Sequence, residues 1–297
     1  MGTPEFAVQS LRSLVESNSN IIAVITVPDK PAGRGQKQMS SPVKIYAEEQ
    51  NIPVLQPEKL KNPEFITQLK ALNADLQVVV AFRMLPEIVW SMPKYGTFNL
   101  HGSLLPQYRG AAPINWAVIN GETETGVTTF FIEKEIDTGK IIFQEREPIH
   151  ADDDAGSVYE RLMHLGGTLV VKTVHAIEEG NYPQEAQDES EEIKMAPKIF
   201  RETCEIDWTL PAEKIHNFVR GLSPYPAAWT TLNGLSCKIF RTSFTEDTDA
   251  GESGEYKTDH KTFLHFRAGN AWLAIEILQL EGKKKMEVGD FLRGAKL

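Results

Sequence analysis

An amide and an imidazole lie two residues apart where an apolar segment ends, in the sequence Asn99-Leu100-His101-Gly102. Alternate residues of a strand point to the same face, so Asn99 and His101 can aim at one reacting atom. An amide N–H can stabilise an oxyanion, and an imidazole can carry a proton. The pair is therefore suited to acyl transfer, although an Asn and a His beside a turn more often satisfy backbone groups alone.

A carboxylate that could act with this pair follows at Asp137, in the sequence Ile136-Asp137-Thr138-Gly139. If Asp137 reaches His101, it would orient the imidazole and support its charged form. Asp and Gly are also ordinary turn residues between two strands. The residue types alone leave both interpretations open.

The elements around the pair predict an α/β fold with a doubly wound, mostly parallel Rossmann-like sheet. The apolar runs at 21–27, 76–82 and 97–100 predict buried strands, and predicted helices alternate with them. Ligands of such sheets bind at the carboxyl ends of the strands, which is where Asn99 and His101 fall.

The chain opens on a helix, predicted with Thr3 as its N-cap, and residues 28–42 are predicted to form a long loop. A doubly wound fold normally starts with a strand, so we expect the first strand to be missing. Its two neighbours would then have unpaired backbone edges.

The chain is long enough for two domains, and its character changes after residue 180. We predict a catalytic domain over residues 1–180, a polar linker over 181–203 and a small OB-like β-barrel over 204–297. The barrel is predicted from short β-rich runs at 227–232, 235–243, 262–267 and 271–280.

Composition excludes several classes of protein. No apolar run reaches the roughly 20 residues of a membrane span, and the first residues lack the pattern of a signal peptide. The two cysteines match neither a disulfide framework nor a metal site, which predicts a reduced, cytoplasmic location. The net charge of −10 argues against a general nucleic-acid coat but allows a local basic site.

Three segments resemble the signature of the 10-formyltetrahydrofolate-dependent formyltransferases: Asn99–Pro106, Arg109–Pro113 and Ile136–Gly139. Nearly the whole chain shares the resemblance, through further segments at Met1–Ala7, Val27–Gly35, Ile206–Trp208 and Arg220–Pro226. The chain departs from the family at its missing first strand and at Gln107, where a basic residue is common.

The resemblance implies a formyl transfer without a metal, carried out by a monomer. The donor would be 10-formyltetrahydrofolate, and the acceptor the α-amine of methionine on initiator tRNA. Asn99 and protonated His101 would stabilise the tetrahedral oxyanion, while Asp137 would hold His101 and help to move the proton.

The resemblance also implies binding residues in two loops that would cover the pterin ring of the folate. They are Phe82, Arg83, Met84, Leu85, Ser103, Leu104, Leu105 and Pro106. Arg34, between two glycines, would contact tRNA. Leucines beside a proline are otherwise core residues, and an exposed arginine on a turn needs no ligand.

Three other functions share some of these features. A formyltransferase acting on a sugar-nucleotide or ribonucleotide amine would keep Asn99, His101 and Asp137 but would not need the Arg34 loop. A folate-dependent hydrolase would release formate without an acceptor. A non-catalytic RNA-binding protein could keep the fold, although the intact polar set argues against it.

Overall fold

The computed structural model describes residues 1–32 and 37–294. These form two compact units. The first unit contains residues 1–110, 126–147 and 160–195, and the second contains 111–125, 148–159 and the chain from 196 onward. The boundaries predicted at residues 180 and 204 remain a prediction. Arg34, the predicted tRNA contact, lies outside the described residues.

Helices alternate with strands along the first half of the chain. The helices are α1 Glu5–Glu16, α2 Pro42–Glu49, α3 Pro63–Ala71, α4 Glu87–Trp90, α5 Pro113–Ile119, α6 Ala155–Glu179, a 3₁₀ turn at Arg201–Cys204, α7 Ala212–Leu222 and α8 Val288–Gly294. The strands are β1 Val24–Ile25, β2 Lys30–Ala32, β3 Lys37–Met39, β4 Val54–Leu55, β5 Gln77–Val80, β6 Thr97–His101, β7 Arg109–Gly110, β8 Glu124–Phe131, β9 Ile141–Pro148, β10 Met195–Ala196, β11 Ala228–Leu232, β12 Leu235–Phe244, β13 Tyr256–Thr258, β14 Leu264–Arg267, β15 Trp272–Leu280 and β16 Met286–Glu287.

The first unit contains a two-stranded sheet, β1-β4, and a four-stranded sheet in the order β5-β6-β8-β9. β1 pairs with β4 and β5 pairs with β6, both in parallel register, with Val80 opposite Leu100. β8 then runs antiparallel to β6, and β9 follows β8 at the edge. The predicted α/β class with a mostly parallel sheet is confirmed.

The gap expected from a missing first strand is filled at Gly2. Gly2 forms a parallel bridge with Val80, and its N–H donates to the Ile25 carbonyl oxygen at 3.1 Å. A Cβ at this position would lie 2.8 Å from the Val80 oxygen, so only glycine lets the backbone approach both neighbours. The expectation of two unpaired edges at this place is therefore wrong.

Helix starts in this unit follow local signals. The Ser41 side chain accepts a hydrogen bond from the Lys44 N–H, and Asn62 does the same for Glu64, each just before a first-turn proline. The predicted N-cap of α1 is wrong: the cap is Pro4, whose backbone is extended, and helical geometry starts at Glu5.

Two other predictions near the N-terminus are corrected. The strand predicted over 21–27 is limited to Val24–Ile25, which pair with the two residues of β4. The loop predicted over 28–42 contains the antiparallel pair β2–β3, with Lys30 opposite Met39. The proline and glycine content of the segment did not indicate this local pairing.

The second unit is built on an antiparallel sheet that curls into a half-barrel. Its strand order is β11-β12-β15-β14-β13, with β16 also paired to β15. A register shift between Ile239 and Arg241 bends β12, as bulges do in curved sheets. Trp208 stacks on Phe266 in its core at 4.7 Å between ring centroids. The predicted barrel-like C-terminal fold is confirmed.

Within the described residues, no helix is both long and apolar enough to cross a membrane.

Candidate active site

Strand β6 positions Asn99 and His101 on one face of the sheet. Leu100 between them points to the other face, which α6 covers at Gly166. A Cβ at Gly166 would lie 2.7 Å from Leu100 Cδ2, so glycine lets the helix pack closely there. The helix thus occupies one face and leaves the polar pair on the opposite one.

His101 is buried, and both of its ring nitrogens face a defined group. Nε2 lies 2.8 Å from the Tyr108 carbonyl oxygen. A carbonyl oxygen can only accept a hydrogen bond, so Nε2 carries a proton and donates it. Nδ1 lies 3.8 Å from Asp137 Oδ2, within ion-pair distance but too long for a hydrogen bond. A second proton on Nδ1 would therefore create a cation beside a carboxylate.

Asp137 lies on the turn between β8 and β9, with its carboxylate directed inward. Its Oδ2 accepts a hydrogen bond from the Gly110 N–H at 2.9 Å, and the side chain is 11% exposed. The backbone is left-handed, with φ of 57°. A Cβ at Gly139 would lie 1.7 Å from the Phe131 carbonyl oxygen, so glycine at this position lets the turn close against β8.

Asn99 carries a polar atom without an internal partner. Its Oδ1 is buried and has no hydrogen bond to any residue that the structure describes. Leaving a buried polar group unpaired costs about 1–3 kcal/mol. An amide kept at this cost beside a buried histidine and a carboxylate is a candidate for binding a substrate group.

The first predicted folate loop follows β5 and is largely tied to the protein. Leu85 is buried with Val79 and Val89, and Phe82 packs against the same cluster. The Arg83 guanidinium donates to the carbonyl oxygens of Pro57 and Glu58. Met84 is 76% exposed and is the residue of this loop most open to a ligand.

The second predicted folate loop follows β6 and contains Ser103, Leu104, Leu105 and Pro106. Thr128 Oγ1 donates to the Ser103 carbonyl at 2.7 Å and accepts from the Leu105 N–H at 3.2 Å. Ser103 Oγ donates to the Gln107 carbonyl at 2.6 Å. Leu105 is buried, whereas Leu104 and Pro106 are half-buried. Because β5 and β6 are adjacent and parallel, both loops leave the same edge of the sheet.

Three polar groups of the site were not predicted from sequence: the Tyr108 carbonyl, the Gly110 N–H and the Gln187 side chain. The first two are backbone groups, whose position depends on the loop conformation and not on residue type. Gln187 lies in the segment predicted as a linker and donates to the Asp137 carbonyl at 2.8 Å. No spacing or motif in the sequence indicates this contact.

Two family models match the chain. The model described as "Formyl transferase" matches residues 1–174, and "Formyl transferase, C-terminal domain" matches residues 198–296. The chain belongs to the formyl transferase family.

Several relatives align with this chain over nearly its full length. The methionyl-tRNA formyltransferase of Bacteroides fragilis is 54% identical over 302 residues, covering 99% of this chain and 93% of that protein. The methionyl-tRNA formyltransferase of Phocaeicola vulgatus is 56% identical over 304 residues, covering 99% and 94%.

Solved structures share the fold at lower identity. The N-formyltransferase from Helicobacter canadensis, in complex with folinic acid and dTDP-3-aminofucose, matches with a TM-score of 0.67 at 21% identity. The match covers 96% of this chain and 97% of that one. HypX from Aquifex aeolicus, in complex with tetrahydrofolic acid, matches with a TM-score of 0.60 at 21% identity, covering 85% of this chain and 45% of that one.

Proposed function

We propose that this chain transfers the formyl group of 10-formyltetrahydrofolate to the α-amine of methionine esterified to initiator tRNA. The observation that carries the proposal is the placement of His101, held by the Tyr108 carbonyl and faced by Asp137. Relatives named methionyl-tRNA formyltransferase, more than half identical over 99% of the chain, favour this acceptor over a small amine.

The proposed chemistry is direct attack of the amine on the formyl carbon. A C–N bond forms, and the formyl oxygen becomes the oxyanion of a tetrahedral intermediate. The Asn99 amide N–H donates to that oxygen, and the His101 imidazolium stabilises it by its charge. The bond from the formyl carbon to the folate nitrogen then breaks.

Asp137 has two roles in this scheme. Its carboxylate faces Nδ1 of His101 and supports the protonated ring. It also helps to pass the proton lost by the attacking amine to the departing folate nitrogen, through water. This scheme needs no metal.

The loops Phe82–Pro86 and Ser103–Pro106 are proposed to bind the pterin. Their side chains are partly used inside the protein, so their backbone groups would hydrogen-bond to the edge of the ring. Met84 and Leu104 would cover its faces. Arg34 is proposed to contact tRNA phosphate or the acceptor stem. The enzyme is further proposed to act in the cytoplasm as a monomer.

The test is transfer of labelled formyl from 10-formyltetrahydrofolate, with initiator methionyl-tRNA and dTDP-amino sugars as parallel acceptors. We expect efficient formyl transfer to the methionyl-tRNA and none to the dTDP-amino sugars. The Asn99→Ala variant should lose the transfer to methionyl-tRNA. Preferred transfer to the sugar would establish the related small-amine activity. Formate release without any acceptor would establish a hydrolase, and tRNA binding without turnover an RNA-binding protein.

A second arm tests Arg34. Arg34→Ala should raise the KM for tRNA and leave the Kd for folate unchanged, whereas Arg34→Lys tests whether charge alone suffices. An equal loss of folate affinity would contradict the assigned role.

A further inference from the structure

The segment 185–194, which we term the crossing segment, contacts the backbone of both residues whose polar groups face His101. Glu185 exchanges two backbone hydrogen bonds with Ile141, at 2.8 and 3.0 Å. At its far end the Lys194 carbonyl accepts from the Tyr108 N–H at 2.6 Å. The crossing segment thus runs from the start of β9, beside the Asp137 turn, to the residue whose carbonyl holds His101.

Gln187 lies in the middle of the crossing segment and is half-buried, whereas residues 183–186 and 188–190 are exposed. Its Nε2 donates to the carbonyl oxygens of Asp137 at 2.8 Å and Gly139 at 2.9 Å. Its Oε1 accepts two hydrogen bonds from the Arg109 guanidinium, at 3.1 and 2.6 Å. Both hydrogens of the amide and its oxygen are therefore used.

Arg109 is buried and anchors this amide. Its Nη2 also forms an ion pair with Glu189 Oε1 at 2.7 Å. Gly110, the next residue, donates its N–H to the Asp137 carboxylate. Arg109 therefore ties Gln187 to the same short strand that binds Asp137.

The Asp137 turn needs such support. A non-glycine residue with left-handed backbone persists when its surroundings determine its conformation. Gln187 binds the carbonyl of Asp137 itself and the carbonyl two residues later, one on each side of Thr138. These two bonds fix the turn in the orientation that directs the Asp137 carboxylate to Gly110 and His101.

We propose that Gln187 is a positioning residue that holds the Asp137 carboxylate against His101. The proposal rests on the proposed function, since it assigns Gln187 a role through Asp137. Gln187 does not touch the reacting atoms in this scheme. Its effect on the reaction therefore passes through the geometry of the turn.

Two substitutions distinguish a role of Gln187 in positioning the Asp137 turn from a role in binding Arg109. Gln187→Ala removes all four hydrogen bonds. Gln187→Glu keeps an acceptor for Arg109 but has no N–H for the two carbonyls. We expect both variants to lower kcat about 10–100-fold, as misplacement of a catalytic group by about 1 Å does, with the KM for each substrate within twofold. Recovery of kcat in Gln187→Glu alone would show that pairing with Arg109 is the role, and would overturn the proposal.

A double-mutant cycle with Asp137→Ala completes the test. Because Gln187 acts through Asp137, Gln187→Ala should have no further effect on kcat in the Asp137→Ala background. Additive losses would overturn the proposal, as would an unchanged kcat in Gln187→Ala. If Asp137→Ala alone left kcat unchanged, the proposed function of the site would fail instead.

Gln279→Ala is the matched control. Gln279 also donates its amide to a backbone carbonyl, that of Lys283, at 3.0 Å. Its substitution should leave kcat unchanged. Thermal unfolding of each variant, followed by circular dichroism, restricts the kinetic comparison to temperatures at which all of them are folded.

Discussion

Around His101 the chain relies on hydrogen bonds from irregular backbone, whereas the C-terminal sheet relies on paired strands and apolar contacts. Left-handed backbone occurs in both regions, and in the C-terminal unit Ala227 and His260 also adopt it. In the hairpin between β11 and β12 it falls on Asn233 and Gly234, which adopt it readily. At the candidate site it falls on Tyr108 and Asp137, and a bulky residue such as tyrosine adopts it at a higher cost.

Both regions contain paired and unpaired buried polar atoms. In the C-terminal core, the Trp208 indole N–H donates to Thr230 Oγ1 at 2.9 Å. At the site, Asn99 Oδ1 is buried without a partner among the described residues. In β14, His265 Nδ1 is also buried without a hydrogen bond to any described residue and faces Asp247 Oδ2 at 3.7 Å. What distinguishes the site is that its unpaired atom belongs to a residue proposed to bind the reacting group.

Trp208→Ala should produce the largest effect, and the effect should be on stability. The substitution removes the stack on Phe266 and leaves a cavity, which typically costs about 3–5 kcal/mol of unfolding free energy. Urea unfolding measures the loss. Trp208→Phe keeps the stack and should lose less. A loss below 1 kcal/mol for Trp208→Ala would contradict the role of this core.

Asn99→Ala should lower the rate of formyl transfer without lowering stability. Loss of one oxyanion donor should lower kcat about 10²–10³-fold, equivalent to about 3–4 kcal/mol. Removing an unpaired buried oxygen should leave the unfolding free energy unchanged or raise it by up to about 1 kcal/mol. Single-turnover formyl transfer and urea unfolding test the two halves. If the unfolding free energy fell by as much as the activation free energy rose, the contrast between the two regions would be contradicted.

Asn62→Ala should affect stability alone, by about 1 kcal/mol, because it removes the side-chain cap of α3. Asn62→Ser keeps a capping oxygen and is the control. A change in kcat at saturating substrate would show that this helix contributes to the site beyond its stability.

Thiol labelling should show the smallest effect, with almost no reaction in the native protein. Burial raises the pKa of the Cys237 thiol to about 12 and also raises that of Cys204. The reactive thiolate is scarce below such a pKa, so labelling at pH 8 should be slow until urea unfolds the second unit. Rapid labelling of native protein would show that the C-terminal core opens readily.

The parts of the fold that were predictable have local causes. Ser41 and Asn62 precede first-turn prolines, and each caps the helix that starts there. The apolar run at 97–100 became β6, because its residues are buried between a helix and neighbouring strands.

The remaining parts depend on contacts between distant residues. The bond from Gln187 to the Asp137 carbonyl joins residues 50 positions apart, and that from Arg109 to Gln187 spans 78. Neither residue type indicates its partner. Likewise, the strand at Val24–Ile25 covers only the two residues that pair with β4, although the apolar run around it is longer.

The hydrogen bond from His101 Nε2 to the Tyr108 carbonyl restricts how the ring can exchange protons. While this bond is made, Nε2 keeps its hydrogen, so the neutral ring is the tautomer with an unprotonated Nδ1. A proton that charges the ring then binds at Nδ1, on the carboxylate side. The imidazolium of the proposed scheme therefore carries its second proton on the side of Asp137, and the orientation of the ring is determined by the chain that encloses it.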